Sequence, residues 1–240
     1  MKQAGYRRKS GFQLKNITLK LLAINVVIFL VQAIIPKFTE MFALVSSEIA
    51  TRPWTLLTSM FLHGGFAHLL FNMYALFLFG SLIERKIGSK RFLGVYLISG
   101  ILASLIFALA TPEGVAVGAS GAIMAVLGLV IMLLPDLQVL FFFVIPMSMR
   151  TAGIIFALID LVGFVSGGTG IAHIAHLAGL ACGLAFGYYL KKKKKQFGRN
   201  FGKKGRQYRQ SNRRSPYYDN ERTIELSKDD IDNYFKYGRI

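Results

Sequence analysis

Ser120 has the setting of a catalytic nucleophile. It lies in the sequence GASGAIMAVLG, residues 118–128, where flanking glycines let another backbone approach closely. The apolar segment that follows predicts a helix, and unpaired N–H groups at a helix start can stabilise a developing oxyanion. A lone serine in an apolar helix is usually a packing residue. A buried nucleophilic serine also needs a neighbouring base.

His176 can supply that base. It lies in the apolar sequence AHIAHLAGLACGLAFG, and three glycines share its helix face at spacings of 3, 7 and 11 residues: Gly179, Gly183 and Gly187. We expect this face to pack against the small residues of the serine segment, which are Gly121, Ala125 and Gly128. His173 lies one turn earlier and is a competing base.

A third polar cluster is found in HGGFAHLLFN, residues 63–72. His68 and Asn72 are four residues apart and therefore share one helix face, and His63 precedes them. A metal site was considered, but the cluster contains no carboxylate or thiolate and no HExxH pattern. Hydrogen-bond donors that face Ser120 explain these residues better, so the sequence predicts no metal and no cofactor.

The elements that carry these residues are apolar stretches long enough to cross a membrane. With 53% hydrophobic and only 17% charged residues, the chain is too apolar for an ordinary soluble domain. Six stretches fit the roughly 17 to 25 residues of a spanning helix: 18–36, 66–84, 92–111, 118–134, 150–166 and 171–190. The sequence thus predicts an all-α membrane protein with six transmembrane helices. Residues 139–146 are too short to cross alone and are expected to form a membrane-buried connection into span 5.

The net charge of +17 belongs mainly to the two ends of the chain. Residues 1–20 contain six Lys/Arg and no acid, and residues 191–240 contain sixteen Lys/Arg against six Asp/Glu. We interpret this as membrane-flanking charge that contacts anionic lipid, and not as a nucleic-acid surface. Three parts follow: a basic N-terminal segment (1–17), a six-helix domain (18–190) and a basic, largely disordered tail (191–240).

The charge of the connections predicts the orientation, because cytoplasmic loops carry the Lys/Arg excess. Basic residues lie between spans 2 and 3 and before span 5, whereas the connections 112–117 and 167–170 have none. We therefore expect a multi-pass protein of the cell membrane with both termini in the cytoplasm. Spans 2, 4 and 6 then begin at the external face, where their polar residues lie at similar depth.

These three clusters together resemble the rhomboid family. The motifs are GASG around Ser120, AHLAG around His176 and HGGFAHLLFN in span 2, and the resemblance runs from about residue 50 to residue 190. The sequence is similar to six-span, bacterial-type rhomboid intramembrane serine proteases. The resemblance implies a helical membrane domain that cleaves transmembrane protein substrates.

The resemblance also implies residue roles. Ser120 would be the nucleophile and His176 the general base of a Ser–His dyad. His68, Asn72 and the Ser120 N–H would form the oxyanion site, with Gly118 as close backbone support. His63 matches a structural position. Inactive relatives carry Pro directly before the serine, whereas this chain has Ala119.

Several positions depart from the family pattern or could complicate the site. Met124 stands where an aromatic residue commonly packs on the catalytic imidazole, and a thioether can also contact a ring. The external loop reads Arg52-Pro-Trp-Thr55 instead of the common Trp-Arg, which leaves its anchoring arginine in question. Asp160 is predicted to lie too deep to reach His176 and to form an interhelical hydrogen bond. Cys182 is interpreted as a small buried hydrophobe.

Substrate entry is the last expectation. Span 5 has no glycine ladder that would bind it to its neighbours, and the connection 166–170 is glycine-rich. In keeping with the family, we expect both to form a lateral gate. A small permease or channel, and a catalytically silent rhomboid-like protein that binds client helices, are the alternative functions.

Overall fold

The computed structural model describes residues 16–141, 144–167 and 172–212, with the side chains of residues 141, 197, 198 and 200–212 left undescribed. Most of this chain is helical. Helices α1 (Ile17–Ile34), α4 with α5 (Phe66–Ala75 and Ser81–Ile87), α6 (Ser89–Ala110), α8 (Met149–Ser166) and the membrane part of α9 (His173–Asn212) are long and apolar enough to span a membrane. Helix α7 (Ser120–Leu133) is apolar but shorter. The predicted all-α membrane bundle is therefore confirmed, with five to six spanning helices.

Short elements connect the long helices. The segment between α1 and α4 contains α2 (Phe38–Phe42), β1 (Leu44–Val45), a 3-10 turn (Ser46–Glu48), α3 (Thr55–Thr58) and a second 3-10 turn (Ser59–Phe61). Strand β1 pairs antiparallel with β2 (Val115–Ala116), just before the serine helix. A π-helical turn (Leu76–Gly80) joins α4 to α5, which makes Phe66–Ile87 one continuous helix.

Helix α7 is the centre of the bundle. Nine of its residues are buried, and they lie on all sides of the helix, as is typical of a fully enclosed helix. It packs against α9 without intervening side chains: a Cβ atom on Gly179 would lie 2.0 Å from the Gly121 carbonyl oxygen, and one on Gly183 equally close to that of Ala125. The predicted glycine packing between spans 4 and 6 is confirmed.

Glu84 fixes the start of α1. Its carboxylate accepts hydrogen bonds from the Ile17 and Thr18 N–H groups at 2.7 and 2.8 Å, from the Thr18 hydroxyl at 2.7 Å and from the Ser89 hydroxyl at 2.5 Å. An acidic group is favourable at a helix N-terminus, where the first N–H groups have no helical partner. One side chain on α5 thus caps α1 and holds the start of α6.

Two irregular segments have secondary structure that the sequence did not predict. Within the connection 139–146, the described residues include two extended strands, and β3 (Gln138–Phe141) pairs antiparallel with β4 (Ile145–Ser148). The burial of this connection in the membrane stays a prediction. β-branched and aromatic residues favour strands, and helix α8 begins only at Met149, where the Ser148 hydroxyl accepts from the Thr151 N–H at 3.2 Å.

The second difference is the basic segment after the last span. Disorder was expected from Lys191 to about residue 215, but α9 continues as a helix to Asn212. Lysine, arginine and glutamine are good helix formers, and a helix already nucleated by packing extends readily through them. The rest of the tail, 213–240, and the N-terminal residues 1–15 lie outside the described residues.

Candidate active site

Ser120 is the first residue of α7. The preceding Gly118 has a φ of 131°, a conformation that favours glycine, and its N–H donates to the Ser59 carbonyl oxygen at 2.9 Å. Ala119 is fully buried between them. The turn before α7 is thus hydrogen-bonded to the connection between α3 and α4, and this contact positions the backbone of Ser120.

His176 meets Ser120 across the α7–α9 packing. The His176 Nε2 atom lies 2.8 Å from the Ser120 Oγ atom, within hydrogen-bond distance, although the two residues are 56 positions apart. His176 is in the first turn of α9, where the glycine contacts bring the two backbones close. The structure therefore brings together the two residues that the sequence singled out as nucleophile and base.

Asp160 corrects the sequence analysis. It was expected to miss His176, yet its Oδ1 atom lies 2.9 Å from His176 Nδ1 and 2.7 Å from His173 Nδ1. The depth argument was wrong because α8 ends at Ser166 and His176 lies in the first turn of α9, so both residues are near helix ends. Asp160 is buried, and a carboxylate there accepts both imidazole N–H groups.

His173 is not placed to act as the base. Its Nδ1 atom donates to Asp160, and its ring occupies the space above Gly163 on α8, where an added Cβ atom would lie only 2.3 Å from His173 Nε2. Glycine at that position therefore makes room for the imidazole. The sequence showed the i, i+3 spacing of the two histidines and predicted an interhelical hydrogen bond for Asp160, but it did not predict that both histidines share this carboxylate.

The span 2 cluster lies beside the serine. A Cβ atom on Gly118 would be 2.9 Å from both Cε1 and Nε2 of His68 and 3.7 Å from Ser120 Oγ, so the His68 ring edge is adjacent to the nucleophile. Asn72 is buried, and its side-chain amide donates to the His68 carbonyl oxygen at 2.8 Å. Gly118 and His68 thus lie beside Ser120 at the start of α7, whereas Asn72 is placed by its bond to His68; the oxyanion roles of these residues stay predictions.

His63 lies further from the serine. Its ring is 5.2 Å from the His68 ring, centroid to centroid, and neither ring nitrogen has a hydrogen-bond partner among the described residues. The Gln32 side chain from α1 instead bonds the His63 backbone, accepting from its N–H at 3.0 Å and donating to its carbonyl at 3.2 Å. Burial, and secondly the nearby His68, lowers the pKa of His63 to about 4.

Arg52 anchors the segment between α1 and α4. Its guanidinium donates to the Glu48 carboxylate at 2.5 Å, to the Glu40 carbonyl oxygen at 2.7 Å and to the Met41 carbonyl oxygen. Thr55, at the position that departs from the family pattern, donates its hydroxyl to the Arg52 carbonyl oxygen at 2.7 Å. Although the sequence departs from the family pattern, Arg52 therefore still links several residues of this loop by hydrogen bonds.

Two further residues are placed by packing. Met124 is half-buried and packs against the main core of the bundle; its proposed contact with the His176 ring stays a prediction. Cys182 is half-buried and lines a groove between α6 and α9 together with Gly94, Leu102 and Phe186. Cys182 was interpreted as a small buried hydrophobe, and the structure places it only half-buried on the side of α9 that lines this groove.

This arrangement can perform acyl transfer. The Ser120 hydroxyl lies within hydrogen-bond distance of the His176 imidazole, and the other ring nitrogen of His176 contacts the Asp160 carboxylate. These are the parts of a serine nucleophile, its base and the group that orients the base. Asp160 and Gln32 are the contributors that sequence reasoning missed or did not consider. The only available signal for Asp160 was an acid in an apolar span six residues from a helix end.

The comparison with known families identifies the family of the chain. A family-wide sequence profile described as the Rhomboid domain matches residues 50–193, which is more than half of the chain. The chain belongs to the rhomboid family. The matched region begins before α3 and includes Ser120, His176, Asp160, His68 and Asn72, whereas Gln32 lies before it.

Individual rhomboid relatives are found in bacteria and in mitochondria. The chain is 32% identical over 189 residues to Rhomboid protein 1, mitochondrial, of Saccharomyces cerevisiae, covering 74% of this chain and 54% of that protein. It is 39% identical over 132 residues to Rhomboid protease GluP of Bacillus subtilis, covering 54% of this chain and 24% of that protein. The chain thus spans about half or less of the length of these relatives. As a rhomboid with apolar spanning helices, it is a multi-pass membrane protein.

Proposed function

We propose that this rhomboid is an intramembrane serine endopeptidase that cleaves single-pass transmembrane proteins near the external side of the membrane. The observation that carries the proposal is the 2.8 Å contact between Ser120 Oγ and His176 Nε2, at the ends of two closely packed helices. Such a contact is what an activated serine requires. The cell membrane and cytoplasmic termini are proposed with it, on the basic connections, and anionic lipid is proposed to contact the basic α9 extension.

The proposed reaction begins with proton transfer within the dyad. Neutral His176 accepts the Ser120 proton at Nε2 while Oγ attacks the scissile carbonyl carbon. The carbonyl oxygen then becomes negatively charged beside the Ser120 N–H, His68 and Asn72, which would donate hydrogen bonds to it. His176 delivers the proton to the leaving amine nitrogen, and an acyl-enzyme on Ser120 remains.

Asp160 supports His176 in this scheme as a positioning residue. By accepting the Nδ1–H at 2.9 Å, it keeps the Nε2 lone pair directed at Ser120 and stabilises the imidazolium that forms during attack. Its contact with His173 restrains the carboxylate from the other side. The proposed Ser–His dyad thereby acquires a third member from α8.

Water is needed to release the acyl group. A narrow cavity of about 20 Å³ lies beside Ser120, and its mostly apolar lining includes two further serines, Ser59 and Ser104. A cavity of this size can hold about one water molecule. This cavity supports a hydrolytic step at Ser120 within the bundle.

Helix α8 is the proposed side of substrate entry. Five of its apolar side chains are more than half exposed: Ile154, Leu158, Ile159, Val162 and Val165. The connection that follows, residues 168–171, lies outside the described residues. A helix whose outer face is exposed can move away from α4 more readily than the enclosed α7, so a substrate helix would enter beside α8 and unwind to reach Ser120. A disulfide between α8 and α4 should block cleavage, and reduction should restore it.

The direct test is cleavage by the purified protein. The assay follows a generic single-span substrate on a gel in detergent and in liposomes, with Ser120→Ala as the matched control. We expect cleavage by the wild type and none by the variant. A folded wild-type protein that binds the substrate helix but leaves it intact would favour the silent, helix-binding alternative. Cleavage that persists in Ser120→Ala would contradict the assigned nucleophile.

A further inference from the structure

Three metal-ligating atoms converge behind the catalytic imidazole. Asp160 Oδ1 lies 2.7 Å from His173 Nδ1 and 2.9 Å from His176 Nδ1, and all three atoms lie within 4.8 Å of one another. Asp160 and His173 are buried, and His176 is nearly so. In the proposed reaction, Asp160 orients His176. The second imidazole, that of His173, contacts the same oxygen but is not needed for that orientation.

The donor set fits a zinc ion. Two imidazole nitrogens and one carboxylate oxygen, with a water in the fourth position, form a tetrahedral arrangement that Zn²⁺ adopts readily. Imidazole also binds Zn²⁺ and Co²⁺ better than it binds the hard cations Mg²⁺ and Ca²⁺. The buried carboxylate supplies a negative charge that a divalent cation compensates.

Side-chain adjustment is needed to admit the ion. Zn–N and Zn–O distances of about 2.0 to 2.1 Å place tetrahedral ligand atoms roughly 3.3 Å apart. The Asp160 oxygen must therefore move away from the two Nδ1 atoms, and these two atoms, which lie within 4.8 Å of each other, must settle at about the same spacing. His173 and His176 lie three residues apart in the first turn of α9 and so present both rings on the same helix face.

Binding at Nδ1 would change the tautomer of His176. A neutral imidazole carries one proton, which lies on Nδ1 when Asp160 accepts it and leaves the Nε2 lone pair for the Ser120 hydroxyl. A metal on Nδ1 needs the lone pair of that nitrogen, so the one proton of the neutral ring moves from Nδ1 to Nε2. The Nε2–H then donates to Ser120 Oγ and can no longer accept its proton.

We propose that His173, His176 and Asp160 form an inhibitory Zn²⁺ site whose occupancy withdraws the general base from Ser120. The inhibition rests on the proposed serine protease function, whereas the binding of the ion does not. It differs from metal catalysis, because the metal-free protein is the active form and a chelator leaves its rate unchanged or raises it.

The binding test uses the full chain purified without a polyhistidine tag. Co²⁺ is titrated into detergent-solubilised Ser120→Ala protein, and the visible absorption of tetrahedral Co²⁺ is followed and then displaced with Zn²⁺. We expect one site per chain. The double variant Ser120→Ala/His173→Ala should bind Co²⁺ at least about tenfold more weakly, a loss typical of a removed ligand or its support. The matched control Ser120→Ala/His68→Ala, with its fold checked by thermal unfolding, should retain the spectrum.

The activity test measures Zn²⁺ inhibition of each variant against its own metal-free rate. Wild-type cleavage should be inhibited and fully restored by EDTA, and His173→Ala should raise the inhibitory Zn²⁺ concentration at least about tenfold. An absent Co²⁺ spectrum, or one lost with His68 instead of His173, would overturn the site. Equal cleavage by Zn²⁺-bound and metal-free enzyme would overturn the inhibition. A metal-free wild type that never cleaves would contradict the proposed function alone, since the Co²⁺ spectrum decides the site independently.

Discussion

Replacement of Asp160 by asparagine tests the corrected active site most directly. In the structure one carboxylate oxygen accepts both imidazole N–H groups, at 2.7 and 2.9 Å. The asparagine carbonyl oxygen can occupy the same position and accept the same two hydrogen bonds. The substitution therefore removes the negative charge while it preserves the volume, the contacts and the tautomer of His176.

The expected loss follows from the charge that develops on His176 during attack. A charge-assisted hydrogen bond is stronger than a neutral one by about 1 to 1.5 kcal/mol, which gives about a tenfold slower reaction. The full attraction between a carboxylate and an imidazolium about 4 Å apart is about 4 kcal/mol at an effective dielectric of 20, or close to 10³-fold. We expect kcat to fall by about 10²-fold between these limits.

The kinetic pattern separates this role from a structural one. Because the imidazolium exists only as the reaction proceeds, Asp160→Asn should lower kcat and leave KM nearly unchanged. Asp160→Ala should be at least as slow, since the orientation of His176 is lost as well. The matched control Asp136→Asn removes a charge from an exposed carboxylate paired with Arg150 at 3.6 Å and should not change the rate. A kcat for Asp160→Asn within twofold of wild type, in protein of equal thermal stability, would refute the reasoning.

Further predictions concern the oxyanion site, the helix contacts and pH. Asn72→Ala should lower kcat by about 10² to 10³ without unfolding the protein, measured by cleavage and thermal unfolding; unfolding would make its role structural. Gly183→Ala places a Cβ atom 2.0 Å from a backbone oxygen and should cost about 3 kcal/mol or more in detergent unfolding, whereas Gly94→Ala, with nothing within 4 Å, should not destabilise. Glu84→Gln should lower the free energy of unfolding by at least about 2 kcal/mol, because it places an amide donor against backbone donors; an unchanged melting temperature would contradict that capping role. His63, with a folded pKa of about 4 against an ordinary 6.5, is protonated first in the unfolded state, so stability should fall by about 2 to 3 kcal/mol as pH drops from 6.5 to 4. His63→Gln should flatten that slope, and an unaltered pH profile would show that other groups cause it.

Much of the fold could be predicted because membrane helices leave strong local signals. An uncharged apolar stretch of about 20 residues predicts a spanning helix without knowledge of its neighbours. The glycine spacing in α9 likewise predicted a close helix contact, and the structure places Gly179 and Gly183 directly against the backbone of α7. By contrast, the pairing of strands β3 and β4 and the helical extension to Asn212 were missed. Both depend on local propensity and on nucleation by neighbouring packing, which composition alone does not report.

The sequence by itself determined which residue types could do chemistry. A serine between glycines, a histidine on a glycine-lined helix face and a histidine–asparagine pair are costly in an apolar chain, and that cost made them visible as candidates. Only the tertiary structure decided that Asp160 lies behind His176 and that the competing His173 contacts the same carboxylate. Those contacts depend on where α8 ends and how α9 begins, because a shift of one helical turn moves a side chain by about 5 Å and decides whether a hydrogen bond forms.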